Sequence, residues 1–135
     1  MVLSAISKPL LTDKPFHRLT LYSKAMEERS NIPAGTLYML ILKTLARLGP
    51  AHGYGIAQHI QQISGDVLQV EEGSLYPALQ RLELNGWIEG EWGLSANNRR
   101  ARFYKLTAAG RKTLASETER YRQMTGAIAR VMGMA

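Results

Sequence analysis

The spacing of hydrophobic and polar residues predicts three successive helices in this chain. Apolar side chains recur three or four positions apart from about Ala34 to Leu48, from about Tyr54 to Ser64 and from near Gly73 to Asn85, as on one face of a helix. Each stretch is followed by residues that end helices, namely Gly49-Pro50, Gly65-Asp66 and Asn85-Gly86. A start near Gly73 places Pro77 in the first turn of the third helix, where the missing N–H of proline costs little.

The residues after the third helix predict a two-stranded ribbon and a long final helix. The strand-like runs are Ile88–Trp92 and Ala101–Leu106. A helix with Thr107 as its N-cap is predicted to extend to about Val131. Three helices followed by a ribbon are typical of a winged helix-turn-helix, so we expect a mainly α fold with a small β-ribbon.

Composition divides the chain into three parts. Residues 1–31 contain two prolines and scattered charges, with approximate helical spacing over Phe16–Arg29. We interpret them as an N-terminal extension, either loosely attached or lying upstream of a natural start at Met26. Residues 32–106 are expected to form the winged helix-turn-helix domain and residues 107–135 a dimerisation helix.

The placement of charge favours a nucleic-acid partner. The net charge is +6, and six basic residues but no acidic residue lie between Trp92 and Ser116. A run of charge is also what an ordinary solvated face shows. On a ribbon beside a helix with a polar face, it favours a footprint for phosphate groups. Double-stranded DNA is therefore the expected partner.

Other classes of function have little support in the sequence. Without cysteine the chain has no disulfide, thiolate metal site or cysteine nucleophile. No carboxylate lies at zinc-site spacing from a histidine, and no glycine-rich phosphate loop follows a strand. No apolar run reaches the ~20 residues of a membrane span, and residues 1–25 lack the apolar core of a secretory signal. We expect a cytoplasmic protein without enzymatic activity, cofactor, metal or membrane contact.

Two predicted helices carry side chains that suit DNA. The third exposes Ser74, Tyr76 and Arg81. A hydroxyl near a helix N-terminus can bond a phosphate, and an arginine fork matches the edge of guanine. The second helix, which usually crosses the backbone in this arrangement, begins near Tyr54 and Gln58. Periodicity alone does not distinguish DNA contacts from ordinary surface residues at these positions.

The tip of the predicted ribbon is the third candidate contact. Asn98 ends a pair of asparagines that favours a turn, and Arg99 and Arg100 follow directly. The arginines are suited to the phosphate backbone or to the adjacent minor groove. Trp87 and Trp92 flank the first strand and are expected in the core at the base of the wing, with a platform for a ligand as the alternative.

Three segments of the chain resemble the PadR family of winged-helix transcription regulators. They are GTLYMLILKTLARLGPAHGYGIAQHI, GSLYPALQRLELNGWIEGEW and NNRRARFYKLTAAGR, which occur in the family's order within roughly Ile32 to Val131. The resemblance implies DNA contacts from Ser74, Tyr76 and Pro77, and a phosphate contact from the turn His52–Gly55. A capping or core position is the alternative for the histidine of that turn.

The resemblance also implies a mechanism. Members of the family are usually repressors, and phenolic acids and multidrug compounds are effector classes among them. In a homodimer, two recognition helices related by a two-fold axis would read a pseudo-palindromic operator. The single helix after the wing looks like the short type of the family. A small-molecule effector, whose identity the sequence does not reveal, would then bind at the dimer interface near the first and last helices. The alternative function is a protein–protein interaction module without specific DNA binding.

The final helix is the expected dimer contact. Apolar residues recur along it at coiled-coil spacing, although Glu117 interrupts the second heptad position. The apolar stripe of the first helix is also broad enough for both a core and a partner surface. The predicted dimer contacts are Leu37, Ile41, Leu114, Tyr121, Met124, Ile128 and Val131. Packing of the final helix back onto its own domain is the alternative.

Overall fold

The computed structural model describes residues 32–134. This part of the chain folds into helices and one small antiparallel sheet. The helices are α1 (Ala34–Leu48), α2 (Gly53–Ile63), α3 (Glu72–Leu84) and α4 (Ala108–Met132), and the strands are β1 (Ala51–His52), β2 (Ile88–Leu94) and β3 (Arg100–Leu106). This is the predicted winged helix-turn-helix fold. The interpretation of residues 1–31, including a helix over Phe16–Arg29 and a start at Met26, lies outside the described residues.

One apolar core holds the three helices and the base of the wing together. α1 supplies Ile41 and α3 supplies Leu79, neither of which is exposed at all, and Ile88 at the start of β2 is also buried. Burial of a leucine or isoleucine side chain contributes about 1.5–3 kcal/mol. The fully buried large side chains are Ile41, Leu42, Leu45, Ile56, Leu75, Leu79, Leu82 and Ile88. The core therefore fixes α3 against α1 and leaves its polar side in solvent.

The wing is a long antiparallel pair with a short third strand on its inner edge. β2 pairs with β3 from Ile88↔Leu106 at the base to Leu94↔Arg100 at the tip. β1 pairs with β3 through Ala51↔Tyr104 and His52↔Phe103, which gives the strand order β1-β3-β2. The sequence predicted only a turn at β1, because two residues show no alternation and their pairing depends on a strand some fifty positions away. The start of α2 is thereby attached to the wing.

Thr107 connects the base of the wing to α4. Its Oγ1 accepts a hydrogen bond from Gly110 N at 3.0 Å and donates one to Gly86 O at 2.7 Å. Its backbone N–H donates to Trp87 O at 3.1 Å. The predicted N-cap is therefore confirmed, and it also attaches α4 to the turn after α3.

Pro77 lies deeper in its helix than the sequence predicted. α3 begins at Glu72, and the N–H groups of Ser74 and Leu75 donate to Glu71 O. Pro77 is therefore past the first turn, where it removes the hydrogen bond to the carbonyl of Gly73. The helix starts within one residue of the predicted position, but the prediction of a first-turn proline is wrong, because Pro77 is the sixth helical residue and lies beyond the first four, whose N–H groups have no carbonyl partner.

Candidate nucleic-acid interface

Tyr76 of α3 packs on the first residue of α2. A Cβ placed on Gly53 would lie 3.1 Å from both Cε1 and Oη of Tyr76. The absence of a side chain at this position lets the two helices bring their polar ends together. Tyr76 remains 44% exposed and Tyr54 69% exposed. Both tyrosines, one from each helix of the helix-turn-helix, are therefore at the surface, where they line the same grooves.

His52 serves as the cap of α2. Its Nδ1 accepts a hydrogen bond from Gly55 N at 3.1 Å. The ring also packs edge-on against Phe103 of the wing, with ring centroids 5.3 Å apart. Of the two sequence interpretations of this histidine, the structure supports the cap. Phosphate contact by the His52–Gly55 turn stays a prediction.

A groove of about 850 Å³ runs from the start of α2 to the tip of the wing. Five predicted contacts from three elements line it: Tyr54, Gln58, Tyr76, Arg99 and Arg100. A second groove of about 860 Å³, between α2 and α3, shares Tyr54, Gln58 and Tyr76 with the first. Residues up to 46 positions apart in sequence thus form one continuous polar surface with two arginines at its end.

The remaining predicted contacts of α3 lie on its other flank. Ser74, Pro77 and Arg81 are exposed and line a hollow of about 260 Å³ beside the start of α1. They follow one another at helical spacing, whereas Tyr76 points to the α2 side. α3 therefore offers two flanks rather than one face. Whether both contact DNA stays a prediction.

The wing tip is a tight turn that ends in two arginines. Asn98 N donates to Ser95 O at 2.9 Å, and Asn98 has a positive φ of 60°. Asparagine adopts this left-handed conformation more readily than most residues, so the predicted turn is confirmed. Arg99 N donates to Ser95 Oγ at 3.3 Å, and Arg100 begins β3 directly afterwards.

Trp92 does not lie in the base of the wing. It is 55% exposed, and the guanidinium of Arg100 lies 4.8 Å and that of Arg102 5.7 Å from its ring centroid. The prediction of a core position is therefore wrong for Trp92, although Trp87 does pack against the core. Trp92 pairs with Arg102 across the ribbon. An aromatic residue opposite a basic one was the signal that the sequence analysis missed.

Arg102 and Tyr104 form a polar cluster with Glu83 behind the wing. Arg102 Nη2 donates to Glu83 Oε2 at 2.6 Å. This hydrogen bond raises the pKa of Arg102, which keeps its charge fixed. Burial raises the pKa of Tyr104, and the nearby Glu83 carboxylate raises it further.

The predicted dimer contacts fall into two groups. Leu37, Ile41 and Leu114 are 3%, 0% and 9% exposed, so they pack inside the protomer and cannot meet a second chain. For these three the prediction is corrected. The side chains that stay at the surface of α4 are Tyr121, Met124, Ile128 and Val131, which are 49%, 57%, 52% and 86% exposed. Periodicity could not separate the two groups, because both belong to apolar stripes.

The described residues include no candidate metal cluster and no candidate membrane-spanning helix. Within residues 32–134 no group of three histidine, aspartate or glutamate side chains could hold a metal ion. None of the described helices is long and apolar enough to cross a membrane.

Comparison with models of protein families identifies one family. The model described as "Transcriptional regulator PadR-like family" matches residues 41–116. The chain is similar to an uncharacterized protein of Lysinibacillus sphaericus, with 31% identity over 86 residues that cover 64% of this chain and 78% of that protein. It is also similar to an uncharacterized protein in a transposon of Streptomyces fradiae, with 38% identity over 90 residues that cover 67% of this chain and 24% of that protein.

A solved structure extends this likeness to three dimensions. A transcriptional regulator from Clostridium thermocellum matches with a TM-score of 0.65 and 28% identity. The match covers 71% of this chain and 89% of that one. The family model alone spans more than half of the chain.

Proposed function

This chain belongs to the PadR-like family of transcriptional regulators, and we propose that it represses transcription by binding a pseudo-palindromic operator as a homodimer. The observation that carries the proposal is the continuous groove from α2 to the wing tip. It brings Tyr54, Gln58 and Tyr76 together with Arg99 and Arg100. Polar and aromatic groups beside a pair of arginines match the base edges and phosphates of a DNA duplex.

In the proposed complex each element has a separate role. α3 enters the major groove, where Tyr76 and Arg81 face the base edges. The start of α2, with Tyr54 and Gln58, lies over the phosphate backbone. Arg99 and Arg100 contact the backbone or the adjacent minor groove, where a narrow, A·T-rich sequence attracts arginine.

The proposed dimer is built on the exposed stripe of α4. Tyr121, Met124 and Ile128 recur at coiled-coil spacing, and each has about half of its surface exposed in the single chain. Such a stripe on a helix of 25 residues is more apolar than a solvated surface needs to be. A two-fold axis through α4 would set two copies of α3 against half-sites about one helical turn apart.

A small-molecule effector would act at the same interface. A hollow of about 240 Å³ lies between the start of α1 and α4 and includes Met39, Tyr121 and Met124. A second chain on α4 would close it. A ligand held there would relieve repression by changing the distance between the two copies of α3, because α1 and α3 share one core. The protein would act in the cytoplasm, where the operator is.

The proposal is tested by fluorescence anisotropy of the protein with DNA from upstream of its own gene and with a scrambled duplex. Tight binding to the first alone, weakening with salt, is the expected result, because phosphate contacts release counterions. Sedimentation of the complex should give two chains per operator. No binding to either duplex at low salt would contradict the proposal and favour a protein–protein interaction module.

A further inference from the structure

Arg102 in the middle of β3 reaches back to the third helix instead of extending into solvent. Its Nη2 lies 2.6 Å from Glu83 Oε2, across 19 positions of sequence. The side chains are 34% and 33% exposed, so the pair lies in the junction between α3 and the wing. This ion pair therefore ties the candidate recognition helix to the candidate wing.

The guanidinium of Arg102 is held on several sides. It lies 5.7 Å from the ring centroid of Trp92 and 6.0 Å from that of Tyr104. A Cβ placed on Gly90 would lie 2.6 Å from Nε and 2.8 Å from Cζ of Arg102. The arginine thus crosses the ribbon where β2 has no side chain. We call Arg102, Glu83, Gly90, Trp92 and Tyr104 the Arg102 bridge.

The bridge continues to the wing tip. The guanidinium of Arg100 also packs over the ring of Trp92, 4.8 Å from the ring centroid. Contacts therefore run without a gap from Glu83 through Arg102 and Trp92 to Arg100. Arginine suits the central position, because its planar fork can bond a carboxylate while its face lies on an aromatic ring.

We propose that Arg102 is a positioning residue that holds the wing in one orientation relative to α3, so that Arg100 and Tyr76 engage the same half-site. The inference rests on the proposed DNA-binding function. Arg102 itself is a poor phosphate contact, because the Glu83 carboxylate already neutralises its charge. Its effect on DNA passes through Arg100, which lies at the open end of the bridge.

The test compares operator affinity and salt dependence for Glu83→Gln, Arg102→Met, the double variant and Gly90→Ala. Electrostatics alone predicts that Glu83→Gln tightens binding, since it removes a negative charge near DNA. Positioning predicts that each single variant weakens operator binding roughly three- to tenfold, as broken networks commonly do. The double variant should bind no worse than Arg102→Met alone. Gly90→Ala should act in the same direction although it changes no charge.

A second ion pair on the same ribbon supplies the control. Lys105 Nζ lies 3.7 Å from Glu89 Oε1, and the side chains are 56% and 64% exposed. Glu89→Gln makes the same charge change on a strand without touching the bridge. We expect it to bind the operator at least as tightly as the unaltered protein, which separates the loss of a charge from the loss of the link to α3.

The salt dependence distinguishes positioning from the competing role, which is direct phosphate contact by Arg102. Loss of a direct phosphate contact by Arg102 would lower the slope of log K against log salt by about 0.9 in Arg102→Met alone, whereas loss of positioning changes the slope alike in Arg102→Met, Glu83→Gln and Gly90→Ala. A lower slope in Arg102→Met, together with unchanged or tighter binding by Glu83→Gln, would overturn the proposal. If the unaltered protein binds no operator, the proposed function fails as well. Normal binding by all the variants would refute the positioning role alone.

The free protein gives an independent readout. The Nε–Hε signal of Arg100 should carry a ring-current shift from Trp92 in the NMR spectrum. We expect Gly90→Ala and Glu83→Gln to reduce that shift while thermal unfolding stays cooperative. An unchanged Arg100 signal in both variants would mean that the bridge does not determine the position of the tip.

Discussion

The backbone carbonyl oxygen of Trp87 occupies the space in which a side chain on Gly110 would begin. A Cβ at residue 110 would overlap that oxygen and would lie 2.8 Å from Leu106 Cδ1. Gly110 is buried, and its N–H donates a hydrogen bond to Thr107 Oγ1, the cap of α4. The first turn of α4 therefore approaches the base of the wing as closely as backbone atoms allow.

We expect Gly110→Ala to destabilise the fold. Overpacking of a closed site costs about 1–3 kcal/mol, and here the obstructing atom belongs to the backbone and cannot rotate away. The melting temperature should fall by roughly 4–8 °C for each kcal/mol lost. Gly126→Ala is the comparison on the same helix, where the nearest atom to a Cβ is Arg130 Nη1 at 3.8 Å. It should stabilise by about 0.5–1 kcal/mol, and equal melting shifts for the two variants would refute the argument.

The contact between Gly53 and Tyr76 predicts a variant that loses DNA affinity without losing stability. Gly53→Ala pushes the Tyr76 ring by a few tenths of an ångström, while alanine is the better helix former. Operator binding should weaken by about 1 kcal/mol, roughly fivefold, with an unchanged or higher melting temperature. Gly35→Ala, near the start of α1 with no atom within 4 Å of its Cβ, should leave operator affinity unaltered, also with an unchanged or higher melting temperature. Unchanged affinity in Gly53→Ala would show that the position of Tyr76 does not matter for DNA.

The arginines of the wing tip should account for part of the salt dependence. Replacing both Arg99 and Arg100 by alanine should lower the salt slope by about 1.8 for each wing, if each arginine neutralises one phosphate. The matched variant replaces Arg111 and Lys112 by alanine, which removes two positive charges from the start of α4. β3 spans seven residues from tip to base, or about 20 Å, so the matched pair lies far from the tip. Equal slopes for the two variants would contradict a specific role of the tip.

The exposed stripe of α4 predicts a variant that is monomeric yet folded. Ile128 is 52% exposed in the single chain, so Ile128→Glu costs the protomer little. In a dimer the same carboxylate would be desolvated. Sedimentation velocity should show a shift from two chains to one, together with weaker operator binding. Ala115→Glu adds the same charge on the opposite side of the helix and should stay dimeric. A monomeric unaltered protein would exclude the proposed assembly.

Tyr104 predicts a loss of stability at high pH. Burial raises its pKa in the folded state above the ordinary value of 10.0. As pH rises through about 10, the unfolded chain releases this proton while the folded chain retains it, so the free energy of unfolding falls. The stabilisation is complete below that pH and is lost above it. Urea unfolding of Tyr104→Phe should show a smaller loss between neutral pH and about pH 10.5, since every other titrating group is common to both proteins. Parallel curves would mean that the hydroxyl titrates normally.

Local patterns were sufficient to predict the helices, the strands of the wing and the family. The recurrence of apolar residues, the glycine and asparagine stops and the Thr107 cap act within a few positions of sequence, so they can be read without the fold. The turn at Asn98 and the order of the elements are predictable for the same reason. The resemblance to the PadR family rests on these stretches, and the comparisons confirm it.

Contacts between distant residues required the tertiary structure. Leu37 and Leu114 belong to apolar stripes, but only the packing of α1 against α4 and the wing decides that they face the protomer's own core. The contact between Arg102 and Glu83, and the position of Arg100 on Trp92, depend on the register of two strands and on the angle at which α3 meets them. Periodicity gives the direction of a side chain relative to its own element. The partner it meets depends on how the elements pack, which is a property of the whole chain.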